Sequence, residues 1–376
     1  MKLNIIQKHL YRYMINHNYC VILAGGGGSR FWPVSREDRP KQFLGQIAFG
    51  KSLLRLTYER MSRIIPSENI LVVTLDKFAS LIREEIPELS EKNLLLEPFG
   101  KHTAPSIAFA AYKLLRRDPD AVMVSTPADH IIDDIHMFEQ TIENALDYAA
   151  DKDVLITLGI VPTKAESKFG YIQMADTEIR MGEPVKVKTF TEKPNAELAE
   201  VFFKSGEFLW NSGIFIWKAE AVRKALETLA PEVTCLWKGW EQTLNTEGER
   251  KFLEKIYSDS PTLSIDYAVM EKSENVWVYP ASFKWANIIN WDSLREYASK
   301  PDKNGNVLEI KGNRIVKGTE DTVVYSERKD KLIAVKGLKD FLVIDTDDVL
   351  MICPNDDKSF TDFNSELAMP DYEKYR

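Results

Sequence analysis

Apolar and polar positions follow two rhythms along the first part of the chain. Short apolar runs at 21–24, 70–74, 94–97, 121–126 and 154–160 read as buried strands. Between them the apolar positions recur at helical spacing. In 52–65, Leu53, Leu54, Leu56, Met61 and Ile64 mark one broad face, and 103–116 and 138–149 behave similarly. Strands alternating with helices predict parallel strands joined by crossover helices, an α/β doubly wound sheet that is mixed but mainly parallel. In such sheets ligands bind beyond the carboxyl ends of the strands. The segments following the strands at 21–24, 94–97 and 121–126 are therefore candidates for a site.

Further along, the pattern is more mixed, with helices expected near 196–204, 219–229 and 248–257. The texture changes after Arg295. Lys300-Pro301-Asp302-Lys303-Asn304-Gly305 reads as a linker, and short strands follow at 314–316, 322–325, 332–335, 341–344 and 349–352. This predicts an extension at 1–18, a main domain at 19–299 and a small C-terminal β domain at 300–376, with no long repeat.

Composition narrows the function. A chain of 376 residues, 44% hydrophobic and 28% charged, has ample core for two or three globular domains. Its net charge of −8 argues against nucleic acid as a partner. Cys20, Cys235 and Cys353 are scattered, and read as buried thiols without a metal cluster or disulfide framework. No apolar run approaches the length of a membrane span, and residues 1–18 lack the apolar core of a signal peptide. A cytoplasmic protein without membrane contact is expected.

Against that acidic background the segment from Val21 to Leu44 stands out. An apolar strand enters Gly25, Gly26, Gly27, Gly28 and Ser29, and Arg30, Arg36, Arg39 and Lys41 follow. Glycines let a backbone approach a ligand and aim its N–H groups at an anion, and the cations suit a multiply charged one. A nucleoside triphosphate needs both on one loop. The loop lacks the Gly-Lys-Ser/Thr of a Walker A motif, and Trp32-Pro33 stops a helix from opening as the dinucleotide fingerprint requires.

The segment resembles the signature of the sugar-nucleotide pyrophosphorylases, and among them the mannose-1-phosphate guanylyltransferases. Their pattern runs Leu-Ala-Gly-Gly-x-Gly-x-Arg-Leu-Trp-Pro-Leu-Ser-Arg and then Pro-Lys-Gln-Phe-Leu. Gly27 occupies the variable position, and Phe31 and Val34 replace leucines. The resemblance spans about residues 19 to 355. It implies a Rossmann-like nucleotidyltransferase domain with a β-helix-like C-terminal cap, and members that commonly pair as homodimers. It also implies the reaction of GTP with mannose 1-phosphate to give GDP-mannose and pyrophosphate, with Mg²⁺. Where longer relatives append an isomerase domain this chain stops, so no isomerase activity is expected.

Residue roles follow by the same resemblance. The glycine loop from Gly25 to Ser29 would hold the nucleotide phosphates, with Arg30 and Lys41 neutralising charge. Asp129, in Pro127-Ala128-Asp129-His130, would hold the metal. The carboxylate alone is weak evidence, because Asp at a strand end often caps a turn. Glu97 and His102, in Glu97-Pro98-Phe99-Gly100-Lys101-His102-Thr103-Ala104-Pro105, would lie by the base. Gly170 and Tyr171, Glu192 and Lys193 of Glu192-Lys193-Pro194, and Asn211 and Gly213 of Trp210-Asn211-Ser212-Gly213 would take the sugar phosphate. Ser264-Ile265-Asp266-Tyr267-Ala268-Val269-Met270-Glu271-Lys272 marks the family, and its periodicity predicts a helix with Ile265, Val269 and Met270 in the core.

Three further positions depart from the pattern. His102 replaces the usual Asn near the base. In Trp285-Ala286-Asn287-Ile288-Ile289-Asn290-Trp291, Asn287 stands where the family has a second metal-binding Asp, and Ile289 where it has Gly. An amide oxygen can ligate Mg²⁺ but supplies no charge. Two alternatives therefore stay open: a pyrophosphorylase for another sugar phosphate or nucleotide, and a sugar-nucleotide-binding paralogue with weak or no turnover.

Overall fold

The structure is a computed structural model that describes residues 17–45, 50–176, 182–288, 290–291 and 301–376. Ile289 and all but the last two residues of the 1–18 extension lie outside the described residues.

The first strand, β1 (Asn18–Leu23), sits inside a nine-stranded sheet. Its side chains alternate between two cores. Cys20 and Ile22 face one core, under the helices Leu53–Met61, Ala79–Glu85 and Ile135–Asp151. Val21 faces the other, under the helices Thr103–Arg117, Ala219–Leu229 and Glu249–Asp259. Helices therefore cover both faces, as a sheet with near-continuous apolar strands requires. Local signals agree with the packing. Ser52 caps Leu53–Met61 by accepting from the Arg55 N–H at 3.0 Å, and Thr103–Arg117 is buried on all sides from Ala104 to Leu114.

The sheet is mixed. β1 pairs in parallel with β2 (Ile70–Leu75) and β4 (Val122–Pro127), and β2 with β3 (Leu94–Glu97). Beyond β5 (His130–Ile132), which pairs outside the main sheet, the chain adds β6 (Leu155–Ile160), β7 (Tyr171–Met174) and β8 (Val185–Thr191). Next comes β9 (Phe208–Lys218), and then β10 (Val276–Ala281), parallel to β6. The strand order is β3-β2-β1-β4-β9-β6-β10-β8-β7. β9 enters antiparallel between β4 and β6, so these two strands are not neighbours. Periodicity gives a strand's burial but not its direction. The consequence is functional: the first half of β9 runs past the carboxyl end of β4 while it pairs with the carboxyl end of β6.

A second ladder lies at that same end. β11 (Trp285–Asn287) runs antiparallel to β5, with Asn287 opposite His130. Neither strand is legible from the apolar pattern, because each is only three residues long.

The C-terminal strands coil. β12 (Val307–Ile310), β14 (Val323–Ser326) and β16 (Phe341–Asp345) stack in parallel, as do β13 (Asn313–Lys317) and β15 (Leu332–Lys336). β17 (Leu350–Pro354) closes the stack antiparallel, and an unanticipated helix follows at Asp357–Leu367. Successive coils share a short corner motif, not a long repeat: Val316-Lys317-Gly318-Thr319-Glu320-Asp321 corresponds to Val335-Lys336-Gly337-Leu338-Lys339-Asp340. In both copies the Gly and the Asp have positive φ, so the repeat is a repeated corner.

This coil docks on the main domain through a shared apolar cluster. Phe31, Trp32, Ile131, Ile288 and Trp291 meet Val307, Tyr325, Leu342, Ile344 and Met351. Among the cysteines, Cys20 and Cys353 are buried as expected, but Cys235 is exposed. No helix among the described residues is long and apolar enough to cross a membrane.

Candidate active site

The glycine loop follows β1 and is held by side chains from three directions. Gln42 donates to the carbonyls of Ala24 and Gly26 at 2.9 and 2.8 Å. Thr74 donates to Ala24, and Ser35 to the Gly28 carbonyl at 2.7 Å. Gln42 is thus a positioning residue that the sequence quotes without assigning a role. Gly28 has φ +63°, and a Cβ there would meet the Lys41 backbone nitrogen at 2.7 Å. The loop therefore folds back on Lys41, and only glycine fits.

The cations divide. Arg30 is exposed and makes no ion pair or hydrogen bond among the described residues, so it can meet an anion. Arg36 cannot. It donates to the Tyr375 carbonyl and to Asp348, both 2.7 Å away in the C-terminal domain. Arg39 lies by Glu84 and Glu85. The local basic cluster is therefore smaller than the sequence suggests.

Lys41 carries the centre of the site. Its ammonium lies 2.6 Å from Asp129, in the turn after β4, and donates to the Ile288 carbonyl at 2.7 Å. Burial works against the charge on Asp129, but Lys41, His130 and a backbone hydrogen bond together outweigh it and hold the carboxyl below its ordinary range. His130 is buried, and burial pushes its pKa down to about 4, so it is neutral near pH 7. It packs edge-on against Trp285 at 5.2 Å. Trp285 packs on Phe169, and Phe169 on Trp210, so an aromatic row runs from Asp129's neighbour to Asn211's.

Asn287 ends β11 immediately before Ile288, the residue that Lys41 touches. Its Oδ1 is buried without a hydrogen-bond partner. A buried orphan oxygen is costly unless something cationic or protic meets it. Asn287 sits opposite His130, the residue after Asp129, and an amide oxygen and a carboxylate are both ligand types that a hard divalent cation accepts. A separate group, His17 with Asp118 and Asp120, lies at the opposite end of the strands, where His17 pairs with Asp118 at 2.7 Å.

Glu97 ends β3 and is 3% exposed. Its Oε1 accepts from Ser106 at 2.6 Å and Tyr257 at 2.8 Å, and its Oε2 faces Gly25, where a Cβ would stand 3.4 Å away. Burial raises its pKa to about 7, with the two hydroxyls opposing. His102 precedes the helix Thr103–Arg117 with φ 62° and ψ −168°, a strained conformation for a residue with a Cβ. Its side chain is exposed.

The remaining predicted residues gather across β4 from the loop. Asn211 lies on β9, and the segment at Gly213, φ +73°, rests on Pro127 at the end of β4. The Asn211 Oδ1 accepts from Thr157 and the Gly213 N–H, at 2.9 and 3.1 Å, and its Nδ2 donates to Asp266 at 2.9 Å. Glu192 pairs with Lys193 at 2.8 Å. A Cβ on Gly170 would collide with the Glu192 carboxylate and crowd Asn211, so glycine is required for both to reach the cleft. Tyr171 is different: it is fully buried, and its hydroxyl accepts from the Glu166 N–H at 3.0 Å. Its side chain supports the cleft from the core. The predicted helix at 264–272 is a single π turn, Asp266–Met270, and Ile265, Val269 and Met270 are buried. Asp266 faces the cluster, a position the sequence quotes only as a family mark.

Comparison with known proteins gives the family and the fold. The nucleotidyl transferase family model matches residues 19–303, and the MannoseP isomerase/GMP-like beta-helix domain model matches residues 312–358. The chain is 36% identical over 345 residues to a mannose-1-phosphate guanylyltransferase of Salmonella typhimurium, covering 89% of this chain and 69% of that protein. It is 34% identical over 369 residues to one from Klebsiella pneumoniae, covering 95% and 76%. The crystal structure of mannose-1-phosphate geranyltransferase from Thermus thermophilus superimposes with a TM-score of 0.80 at 30% identity, over 94% of this chain and all of that one.

Proposed function

We propose, from the premise that this chain belongs to the mannose-1-phosphate guanylyltransferases of the nucleotidyl transferase family, that it transfers GMP from GTP to α-mannose 1-phosphate. The products are GDP-mannose and pyrophosphate. The observation that carries the reading is the order β1-β4-β9. The glycine loop after β1, Asp129 after β4 and Asn211 on β9 belong to consecutive strands of the sheet, which supports one shared site.

The sugar phosphate oxygen attacks the α-phosphorus in line, and pyrophosphate leaves. No covalent enzyme intermediate is needed, so the protein contributes orientation and charge neutralisation. The N–H groups from Gly25 to Ser29 and the Arg30 guanidinium hold the β- and γ-phosphates. Glu97 accepts from the guanine edge, with His102 beside it. Glu192, Lys193 and Asn211 hold the mannose, and Gly170 and Gly213 leave room for it. Lys41 stays against Asp129 until phosphates arrive and then shares its charge with them. The family generally uses a divalent metal. Mg²⁺ is the ion we assign, held by Asp129 and Asn287, and when bound it neutralises charge on the phosphates.

Asn287 favours one second reading, a sugar-nucleotide-binding paralogue without turnover. Pyrophosphate release from GTP, mannose 1-phosphate and Mg²⁺, with ATP and glucose 1-phosphate as controls, separates the two. Turnover favouring the GTP–mannose pair supports the enzyme. GDP-mannose binding without pyrophosphate release overturns it.

A further inference from the structure

On the sugar side of the cleft a second carboxylate joins Glu192. Asp266 opens the π turn at Asp266–Met270, and the burial of Ala268, Val269 and Met270 fixes that turn against the core. The Asn211 amide is locked: its oxygen accepts from Thr157 and the Gly213 N–H, and its nitrogen donates to Asp266 Oδ1. Asn211 therefore has no acceptor left for a sugar hydroxyl and presents only its remaining N–H. The acceptor has to come from elsewhere. The Glu192 side chain is 7% exposed, and its Oε1 is taken by Lys193. Its Oε2 is buried without a partner, against Gly170. A carboxylate oxygen in that state awaits a donor.

We propose that Asp266 is a specificity-determining residue of the sugar-phosphate site: with Glu192 it forms a paired acceptor for neighbouring hydroxyls of the hexose, while Asn211 and Lys193 hold the two carboxyls in place. The inference rests on the guanylyltransferase reading above. Two carboxylates side by side repel nucleotide phosphates and suit the hydroxyl-rich, uncharged part of a substrate. A purely structural partner for Asn211 need not be an acid, since an amide oxygen would accept the same bond. Burial, and then the Glu192 charge, raise the Asp266 pKa to about 7, with Lys193 opposing. Tyr267 and Glu271 are the other titratable groups of the π-turn segment, and Glu271 accepts from the Glu192 N–H at 2.8 Å. In this setting the Asp266 and Glu192 carboxyls oppose one another, and donating hydroxyls would relieve that repulsion.

Asp266→Asn keeps an acceptor for Asn211 and removes the charge. The expected result is a rise of about tenfold or more in KM for mannose 1-phosphate, the scale of a hydrogen bond to a charged group. KM for GTP and the thermal midpoint near pH 8 are expected to hold or improve. With mono-deoxy mannose 1-phosphates, one hydroxyl's removal is expected to weaken the parent protein strongly and the variant little, because the two changes delete the same contact. An unchanged KM for mannose 1-phosphate overturns the proposal. So does a joint rise of both KM values with a lower midpoint, which marks a structural residue. If the parent protein releases no pyrophosphate, the guanylyltransferase reading fails separately. Calorimetric binding of GDP-mannose then decides: weaker binding by the variant supports the Asp266 role, and equal binding overturns it.

Discussion

The Lys41 ammonium stands 2.6 Å from the Asp129 carboxylate and also donates to the carbonyl of Ile288. One side chain thus joins the segment after the glycine loop to the strand end that carries Asp129 and to the strand that carries Asn287. A fixed cation there costs no reorganisation when phosphate charge develops. Lys41→Met is expected to lower kcat by roughly 10²–10³-fold, the usual effect of removing one preorganised charge-stabilising group. Pyrophosphate release under saturating substrates reads this. An unchanged kcat would remove Lys41 from the reaction.

Asn287→Asp tests the metal assignment without turnover. Asp129 is already neutralised by Lys41, so the free protein offers a divalent cation little net charge. The buried, unpartnered Asn287 Oδ1 marks where a carboxylate oxygen would stand. The variant is expected to bind Mn²⁺ about tenfold more tightly in the absence of nucleotide, since ligand charge sets affinity for hard cations. Titration by electron paramagnetic resonance measures free Mn²⁺ directly. Equal affinities would place Asn287 off the metal.

Glu97 gives a pH signature. Its pKa is raised from 4.5 to about 7 by burial. Below pH 4.5 both folded and unfolded chains hold the proton. Between there and pH 7 only the folded chain does, so its contribution to stability falls as pH rises and is fully lost above 7. The span corresponds to about 3 kcal/mol. Glu97→Gln is expected to remove that dependence and to be more stable than the parent near pH 8, while matching it near pH 4. Denaturant unfolding at both values measures this. As the proposed guanine acceptor, the same change is expected to narrow the preference for GTP over ATP by about tenfold. A variant that keeps the preference would leave Glu97 a structural role only.

Much of this architecture is written in local patterns. The strand at 94–97 and the helix at 219–229 coincide with Leu94–Glu97 and Ala219–Leu229, because each is a clean apolar run or stripe ending at a polar break. The antiparallel entry of β9 is not written locally, since its neighbours lie far away in sequence and burial is symmetric to direction. β5 and β11 are too short to show a period. The corner repeat at Gly318 and Gly337 has only a short signal, two similar six-residue corners and no long period. At the site, Gly28 and Gly170 follow their motif because each has a neighbour that a Cβ would strike. Asp266 was hidden by its context: the apolar residues after it read as core, and only the fold turns it toward Glu192. The side-chain oxygen of Asn211 is likewise set by the fold, since Thr157, from another strand, occupies it.

Arg30 and Arg36 sit in the same basic stretch and have opposite fates. Arg30 is exposed and makes no ion pair or hydrogen bond among the described residues. Arg36 is held by the Pro33 and Tyr375 carbonyls and by Asp348, beside Trp32, whose indole also donates to Tyr375. Arg36 therefore fastens the C-terminal coil to the end of the glycine-loop motif, and its charge is spent there. Arg30→Met is expected to raise KM for GTP by about tenfold or more with no change in thermal midpoint, because a charged hydrogen bond to substrate is lost. Arg36→Met is expected to do the reverse. Three hydrogen bonds, two of them across a domain contact, disappear and the Pro33 carbonyl loses its Arg36 donor, while Tyr375 keeps the Trp32 indole; the cost is on the order of 2 kcal/mol, and KM for GTP moves little. Steady-state kinetics and thermal unfolding on the two variants separate the roles. If Arg36→Met weakened GTP binding as much as Arg30→Met at an unchanged midpoint, the coil would be gripped by other contacts and Arg36 would belong to the phosphates.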